Sequence, residues 1–571
     1  MFIAAFLSAI ALFDVCCALG ATVRYVRPPA PGVVHRLSGR SGLESIQSGI
    51  VNWGNATTLQ NATIVPVVLS DDKLSYYTLI SVGNASYRIV LDTGSADLWL
   101  ISSACTESTC AVPKYQLGYP SPTFVSINNN QTAFNVSFAD STSANGFIAA
   151  ETVQVGNLTV SQQGLGVVTT SNISFVDSES GLLGLGFPRL SDITNAVNAQ
   201  PFFANLAQQG QLQYPLFGLS LTRNATGSLT LGAVDGSVVT NISLIHWNEV
   251  VPFAPEIGST SNTSSYLQWA IPLGGISVNG TGLTPIPTYP NATSNSSIAL
   301  FDVGTNGIFG PYQDVSRIFN QLGGRLVDSN GVWAVPCDVG ETLTFQFGGQ
   351  NYTLQPTDYL IGPTAGDPGL CLSWPQATLP SSDGIDWQLG TPFLRTVYSI
   401  YSFGIDTKES PMIGLYPLRN ATAPVESSDE VSSFFSSASA TVATVVPNFI
   451  LPTPTPTTPP YAFNTSIPAS VGEIVSSGLA TSTYSPALNT RHPNATAIRT
   501  LSPTPSLVTF IITSDGQVVT SVSTAASPSV TLGAPPGFTP SSGSAALRAP
   551  TCMTILSGVV SLLLLFLRNF A

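Results

Sequence analysis

Two short stretches of this 571-residue chain carry residue types arranged for chemistry. One is Val90-Leu91-Asp92-Thr93-Gly94-Ser95 and the other is Leu300-Phe301-Asp302-Val303-Gly304-Thr305. Each runs apolar residues into an acid, then a glycine, then a hydroxyl. A carboxylate at the end of a buried apolar strand is costly unless something satisfies its charge. Two such sites in one chain point to two carboxylates that face each other. Held close, they cannot both ionise cheaply, so they share a proton and titrate as a pair. One can then act as a base towards water while the other, protonated, polarises a carbonyl.

The elements that must position these acids repeat as well. After Asp92 comes Gly181-Leu182-Leu183-Gly184, and after Asp302 comes Trp387-Gln388-Leu389-Gly390. The acids are 210 residues apart and the two terminal glycines 206, about one domain length. A lone Asp-Thr-Gly is weak evidence, because these are ordinary turn residues. Two unrelated turns would not share that offset.

On these motifs the chain resembles the pepsin-like aspartic proteases, in particular the fungal, surface-anchored kind, from about Tyr76 to about Tyr416. The resemblance implies an all-β, bilobal fold with a cleft between two related lobes. It implies Asp92 and Asp302 as the catalytic pair, with Thr93, Gly94, Ser95, Val303, Gly304 and Thr305 supporting it. Ser95 and Thr305 match the hydroxyls that bond the outer carboxylate oxygens. The alternating stretch Phe134 to Gly146 reads as a hairpin. It resembles the flap that closes over substrate, with Phe138, Ala139 and Asp140 at its tip and Trp99 as the aromatic beneath it. The mechanism implied needs no cofactor and no metal.

The chain departs from the family pattern at three places. Phe138-Ala139 replaces Tyr-Gly, which keeps an aromatic wall but loses a hydroxyl. Ser141 stands where glycine is common. Val303 replaces the usual Thr or Ser, whose hydroxyl, with that of Thr93, bonds across the lobes. A lost buried hydrogen bond costs about 1–3 kcal/mol if its partner is left unsatisfied. The expected result is a looser pair with both carboxylates intact.

Composition excludes other chemistries. Only 9% of residues are charged, the net charge is −13 and the pI is about 4.5. Nucleic acid needs basic patches that this chain lacks. The three histidines are His35, His246 and His492. Only His246 could serve a Ser-His or Cys-His enzyme, and no Gly-x-Ser-x-Gly elbow accompanies it. A His-rich metal site is excluded on the same ground.

Of seven cysteines, Cys16, Cys17 and Cys552 lie in terminal apolar stretches. Cys105, Cys110, Cys337 and Cys371 remain, and an even set in a secreted chain reads as disulfides. Three pairings are possible. Proximity favours Cys105–Cys110 and Cys337–Cys371, which the resemblance also implies, one per lobe. Buried free thiols are the alternative.

The chain divides as follows. Residues 1–20 read as a signal peptide, although without a charged n-region. Residues 21–65 read as a pro-segment, with a simple disordered leader as the alternative. The N-terminal lobe is expected over 66–245 and the C-terminal lobe over 246–420. Residues 421–544, rich in Ser, Thr and Pro, read as a disordered stalk without a packed core. Residues 545–571 end in an apolar run of about fifteen, short of the about twenty that a membrane span needs. With small residues and a spacer before it, the run fits a GPI-anchor signal, with a transmembrane helix as the rival. Seventeen Asn-x-Ser/Thr sequons support passage through the secretory pathway. The expected protein is a monomeric, GPI-anchored endopeptidase acting on proteins or peptides at acid pH. The alternative is a catalytically impaired surface or wall binding protein on the same scaffold.

Overall fold

The computed structural model describes residues 61–223, 226–253 and 266–420, and parts of 423–534. The signal peptide, nearly all of the pro-segment and the terminal apolar run lie outside the described residues. Among the described residues, no helix is long and apolar enough to cross a membrane.

The fold is built of β-strands in two lobes, as the resemblance implied. Strand Tyr76–Val82 buries alternate side chains and turns at Gly83-Asn84 into Ala85–Asp92. In the Asp92 strand the last four residues are all buried, so its end lies inside the lobe. Glu179–Gly184 runs parallel to it, pairing Leu91 with Leu183 and Asp92 with Gly184. The same strand pairs antiparallel with Leu98–Ile101, which leaves the loop after Asp92. The second strand thus threads the loop that bears the acid.

The C-terminal lobe repeats this construction. Ser297–Phe301 lies parallel to Trp387–Leu389, which is antiparallel to Ile308–Pro311. A Cβ on Gly184 would stand 2.3 Å from the Ala96 carbonyl carbon, and one on Gly390 would stand 2.0 Å from the Thr305 carbonyl oxygen. Only glycine passes through each loop, which explains the repeated Leu-Gly ending.

A fourteen-stranded sheet joins the lobes. Its middle contains Val397–Ser402, Leu216–Ser220, Gly227–Leu231 and Thr63–Leu69 in that order. Thr63 pairs with Leu231 and Val65 with Leu229, so residues 63–65 belong to this sheet. Short helices occupy Phe202–Gln208 and Tyr312–Gln321. Disulfides join Cys105 to Cys110 and Cys337 to Cys371.

The region read as a stalk includes segments bound to the body. Helix Ser428–Ala438 buries Val431 and Phe435. Tyr289 Oη donates to the Pro459 carbonyl at 2.8 Å, and the Tyr289 and Tyr461 rings meet edge to face. Ala487 N and Leu488 N donate to Glu409 Oε2 at 3.1 and 2.8 Å, and Leu212 N donates to Tyr484 Oη at 3.0 Å. Thr500–Leu501 then pairs parallel with Val234–Asp235. These described segments, together the strap, dock on both lobes. Averaged composition hid it, because a few apolar residues among many Ser, Thr and Pro suffice to dock an extended segment.

Candidate active site

The two acid-bearing loops meet with matching geometry. Asp92 Oδ1 accepts from Gly94 N at 2.8 Å and Oδ2 accepts from Ser95 Oγ at 2.5 Å. Asp302 Oδ1 accepts from Gly304 N at 2.9 Å and Oδ2 accepts from Thr305 Oγ1 at 2.7 Å. Each carboxylate lies against the opposite loop. A Cβ on Gly304 would stand 2.5 Å from Asp92 Oδ1, and one on Gly94 would stand 2.8 Å from Asp302 Oδ2. Any other residue at either glycine would collide with the facing carboxylate, so both sequence glycines follow from the close approach.

Asp92 is 6% exposed and Asp302 8%. Burial, and then the charge of Asp302, push the Asp92 carboxyl well above its ordinary range; the Ser95 and Gly94 hydrogen bonds pull the other way. No cation stands among these causes. Such a pair holds one proton over a wide pH interval.

Thr93 crosses between the lobes. Its Oγ1 accepts from Val303 N at 2.9 Å and donates to the Phe301 carbonyl at 3.0 Å, with Asp302 Oδ1 at 3.3 Å. The sequence suggested that Val303 would leave this link weakened. Thr93 nevertheless keeps its partners, because the main chain of the Asp302 loop supplies both of them. Val303 itself is fully buried.

The flap hairpin pairs Ala133–Ser137 with Ser143–Val155, and Ser137 faces Ser143. Its tip closes through Phe138 N to the Thr142 carbonyl at 2.9 Å, with Asp140 Oδ1 accepting from Thr142 N and Oγ1. Ala139 and Asp140 are exposed at the tip. Phe138 packs against the cluster that holds Trp99 and Phe134. Trp99 is buried, and its Nε1 has no hydrogen-bond partner among the described residues. Ser141 has φ of +70°, the left-handed conformation in which glycine is at ease.

Other contributors carried no signal in the sequence. Asp97 Oδ1 accepts from Ser191 Oγ at 2.5 Å and its carboxyl is pushed up to about 6 by burial. Its carbonyl accepts from Gly184 N at 2.9 Å, which fixes the threading strand. Trp269 Nε1 donates to the Leu185 carbonyl at 2.9 Å, a further bond between lobes. His246 opens a strand paired with Met412–Pro417. Among the described residues one cluster, Cys105, Glu107 and Cys110, has metal-ligand types in reach. Its sulfurs are joined in the disulfide and are not thiolate ligands.

The chain is similar to known proteins. The family model described as eukaryotic aspartyl protease matches residues 75–410. An "Aspartic protease" of Phaffia rhodozyma is 28% identical over 335 residues, 57% of this chain and 73% of that protein. "Major aspartyl peptidase 1" of Cryptococcus neoformans var. grubii is 29% identical over 344 residues, 58% of this chain and 66% of that protein. Mouse "Cathepsin E" is 29% identical over 356 residues, 60% of this chain and 80% of that protein.

Proposed function

The chain belongs to the eukaryotic aspartyl protease family, and from that premise we propose that it is a secreted, surface-anchored endopeptidase whose Asp92 and Asp302 activate water at acid pH. The observation that carries this reading is the reciprocal seat of the two carboxylates. Each is held by its own loop's glycine N–H and hydroxyl, and each lies over the glycine of the other loop.

Peptide bonds are the substrate of the family. In this site the ionised carboxylate takes a proton from a water held between the pair, and the protonated one donates towards the scissile carbonyl oxygen. Water adds to the carbonyl carbon, and the proton taken from it passes to the leaving amine. Ser95 and Thr305 keep the outer oxygens occupied, so the inner oxygens remain for the water. The flap with Phe138 excludes solvent and lies over the peptide.

The leader 1–20 directs secretion and the C-terminal signal 545–571 adds a GPI anchor, which retains the protein at the plasma membrane or cell wall. Sequon content supports this route, and the last apolar run is short for a span. Phospholipase release of the protein from cell membranes tests the anchor: release is expected, and retention after treatment would instead fit a transmembrane helix. Cleavage of an unfolded protein at about pH 3–5 tests the chemistry. Loss of cleavage in both Asp92→Asn and Asp302→Asn is the expected result. A folded, processed protein that neither cleaves nor binds a statine-type inhibitor would point to a binding protein on this scaffold.

A further inference from the structure

Asp97 lies five residues after Asp92, is buried, and takes no part in the water chemistry. Its main chain serves the acid-bearing loop, because its carbonyl accepts from Gly184 N of the threading strand at 2.9 Å. Two further carbonyls of that loop do the same: Asp92 O accepts from Leu185 N and Ser95 O accepts from Gly186 N, each at 2.8 Å. Main-chain groups therefore fix the loop that carries Asp92, and the Asp97 side chain is left for another task. Burying a carboxyl group costs free energy, so its presence here calls for a reason.

That side chain reaches out of the loop to a short helix, Asp192–Val197. Oδ1 accepts from Ser191 Oγ at 2.5 Å and Oδ2 accepts from Asp192 N at 2.9 Å. Ser191 is fully buried, and its Oγ accepts in turn from Thr194 N at 2.8 Å, which caps the helix. Both oxygens of Asp97 thus hold the start of that helix. Ile193, in its first turn, is 2% exposed and shares a cluster with Trp99, with Phe134 of the first flap strand and with Ala144 and Ile148 of the second. Phe138 packs against the same cluster. The helix therefore has its start on the Asp92 loop and its apolar side in the base of the flap.

We propose that Asp97 is a positioning residue for the flap: its carboxyl group ties the helix start at Ser191 and Asp192 to the Asp92 loop, and so sets the flap in register with the Asp92–Asp302 pair. Substrate held under the flap then meets the acids in one geometry. The carbonyl bond of residue 97 to Gly184 is a main-chain bond and persists when the side chain is changed. The share of the side chain is therefore felt in the holding of substrate and not in the seat of the acids. This inference rests on the reading of Asp92 and Asp302 as the catalytic pair and of the Phe134–Gly146 hairpin as the flap.

The test compares Asp97→Ala, Asp97→Asn and Ser191→Ala in the full-length secreted protein. Asp97→Ala removes both bonds to the helix. Its KM for a peptide substrate is expected to rise about three- to tenfold, with kcat within about twofold of wild type. Asp97→Asn keeps a polar group for Ser191 Oγ and for Asp192 N and should restore the wild-type KM. Ser191→Ala breaks the link from the helix side and should raise KM about two- to fivefold; it carries the test if Asp97→Ala does not fold. General loss of folded protein lowers kcat and leaves KM unchanged, so that pattern would overturn the inference. So would an Asp97→Asn variant no better than Asp97→Ala. An activity-free readout separates the two readings: hydrogen exchange at the flap amides of Phe138 and Ile148, which donate to the Thr142 and Thr132 carbonyls, each at 2.9 Å. Faster exchange in both alanine variants, with wild-type exchange in Asp97→Asn, is expected. Unchanged exchange in the alanine variants overturns the role of Asp97 even if KM moves. Equal cleavage by wild type and Asp92→Asn would overturn the catalytic pair instead, and would leave the exchange difference standing.

Discussion

At Asp92 the outer oxygen takes the Ser95 hydroxyl and the inner oxygen takes Gly94 N, which leaves a lone pair on the inner oxygen for a bound water. Asp302 is seated the same way by Thr305 and Gly304. Either acid replaced by Asn removes a proton carrier while keeping the shape. Asp92→Asn and Asp302→Asn should each lower kcat by about 10²–10⁴-fold with little change in unfolding temperature. Ser95→Ala acts differently. The Ser95 hydrogen bond opposes the upward push that burial and Asp302 exert on Asp92. Its loss should raise the proton affinity of the pair further, so the pH profile of kcat/KM moves to higher pH and the maximum falls about tenfold. A profile that stays in place would show that Ser95 only shapes the turn.

The flap and the threaded strands show how far a sequence can be read. The hairpin around Phe138 was legible because alternation and turn residues are local signals. The threaded loops were legible because the Leu-Gly ending recurs at a fixed offset, and the structure shows that glycine alone fits there. What was not legible depends on contacts between distant residues. Nothing around Trp269 in sequence says that it bonds Leu185. The consequence of Val303 was only half legible: the missing hydroxyl could be seen, but not the main-chain groups that keep Thr93 partnered. At the flap, the unpartnered Trp99 Nε1 and the left-handed Ser141 give two predictions. Phe138→Tyr brings a hydroxyl into the Trp99 cluster and should lower KM by about two- to fivefold through a firmer flap. Ser141→Gly relieves about 1 kcal/mol of backbone strain and should raise thermal stability without that KM change.

Across the molecule, several buried carboxylates share one tendency. Asp92, Asp97, Asp314, Asp386 and Glu409 are all pushed up, in each case chiefly by burial. The folded chain therefore keeps protons that the unfolded chain has released. The stabilisation is fully present below the ordinary carboxylate range and is lost as pH rises through the raised folded values. Thermal midpoints should accordingly be higher near pH 4–5 than at pH 7, and the reverse order would contradict these shifts. The strap adds a second expectation. A chain ended at residue 420 exposes the surfaces that Phe435, Tyr484 and Leu488 cover, and it should melt roughly 5 °C or more below one that keeps residues up to 503. For that reason the decisive assay belongs on the protein with its strap. The measurement is cleavage of an unfolded protein at about pH 3–5 by secreted, acid-treated protein beside Asp92→Asn and Asp302→Asn. Cleavage by the wild type, abolished in both variants and blocked by a statine-type inhibitor, is the predicted result. Cleavage that survives either substitution would contradict the pair.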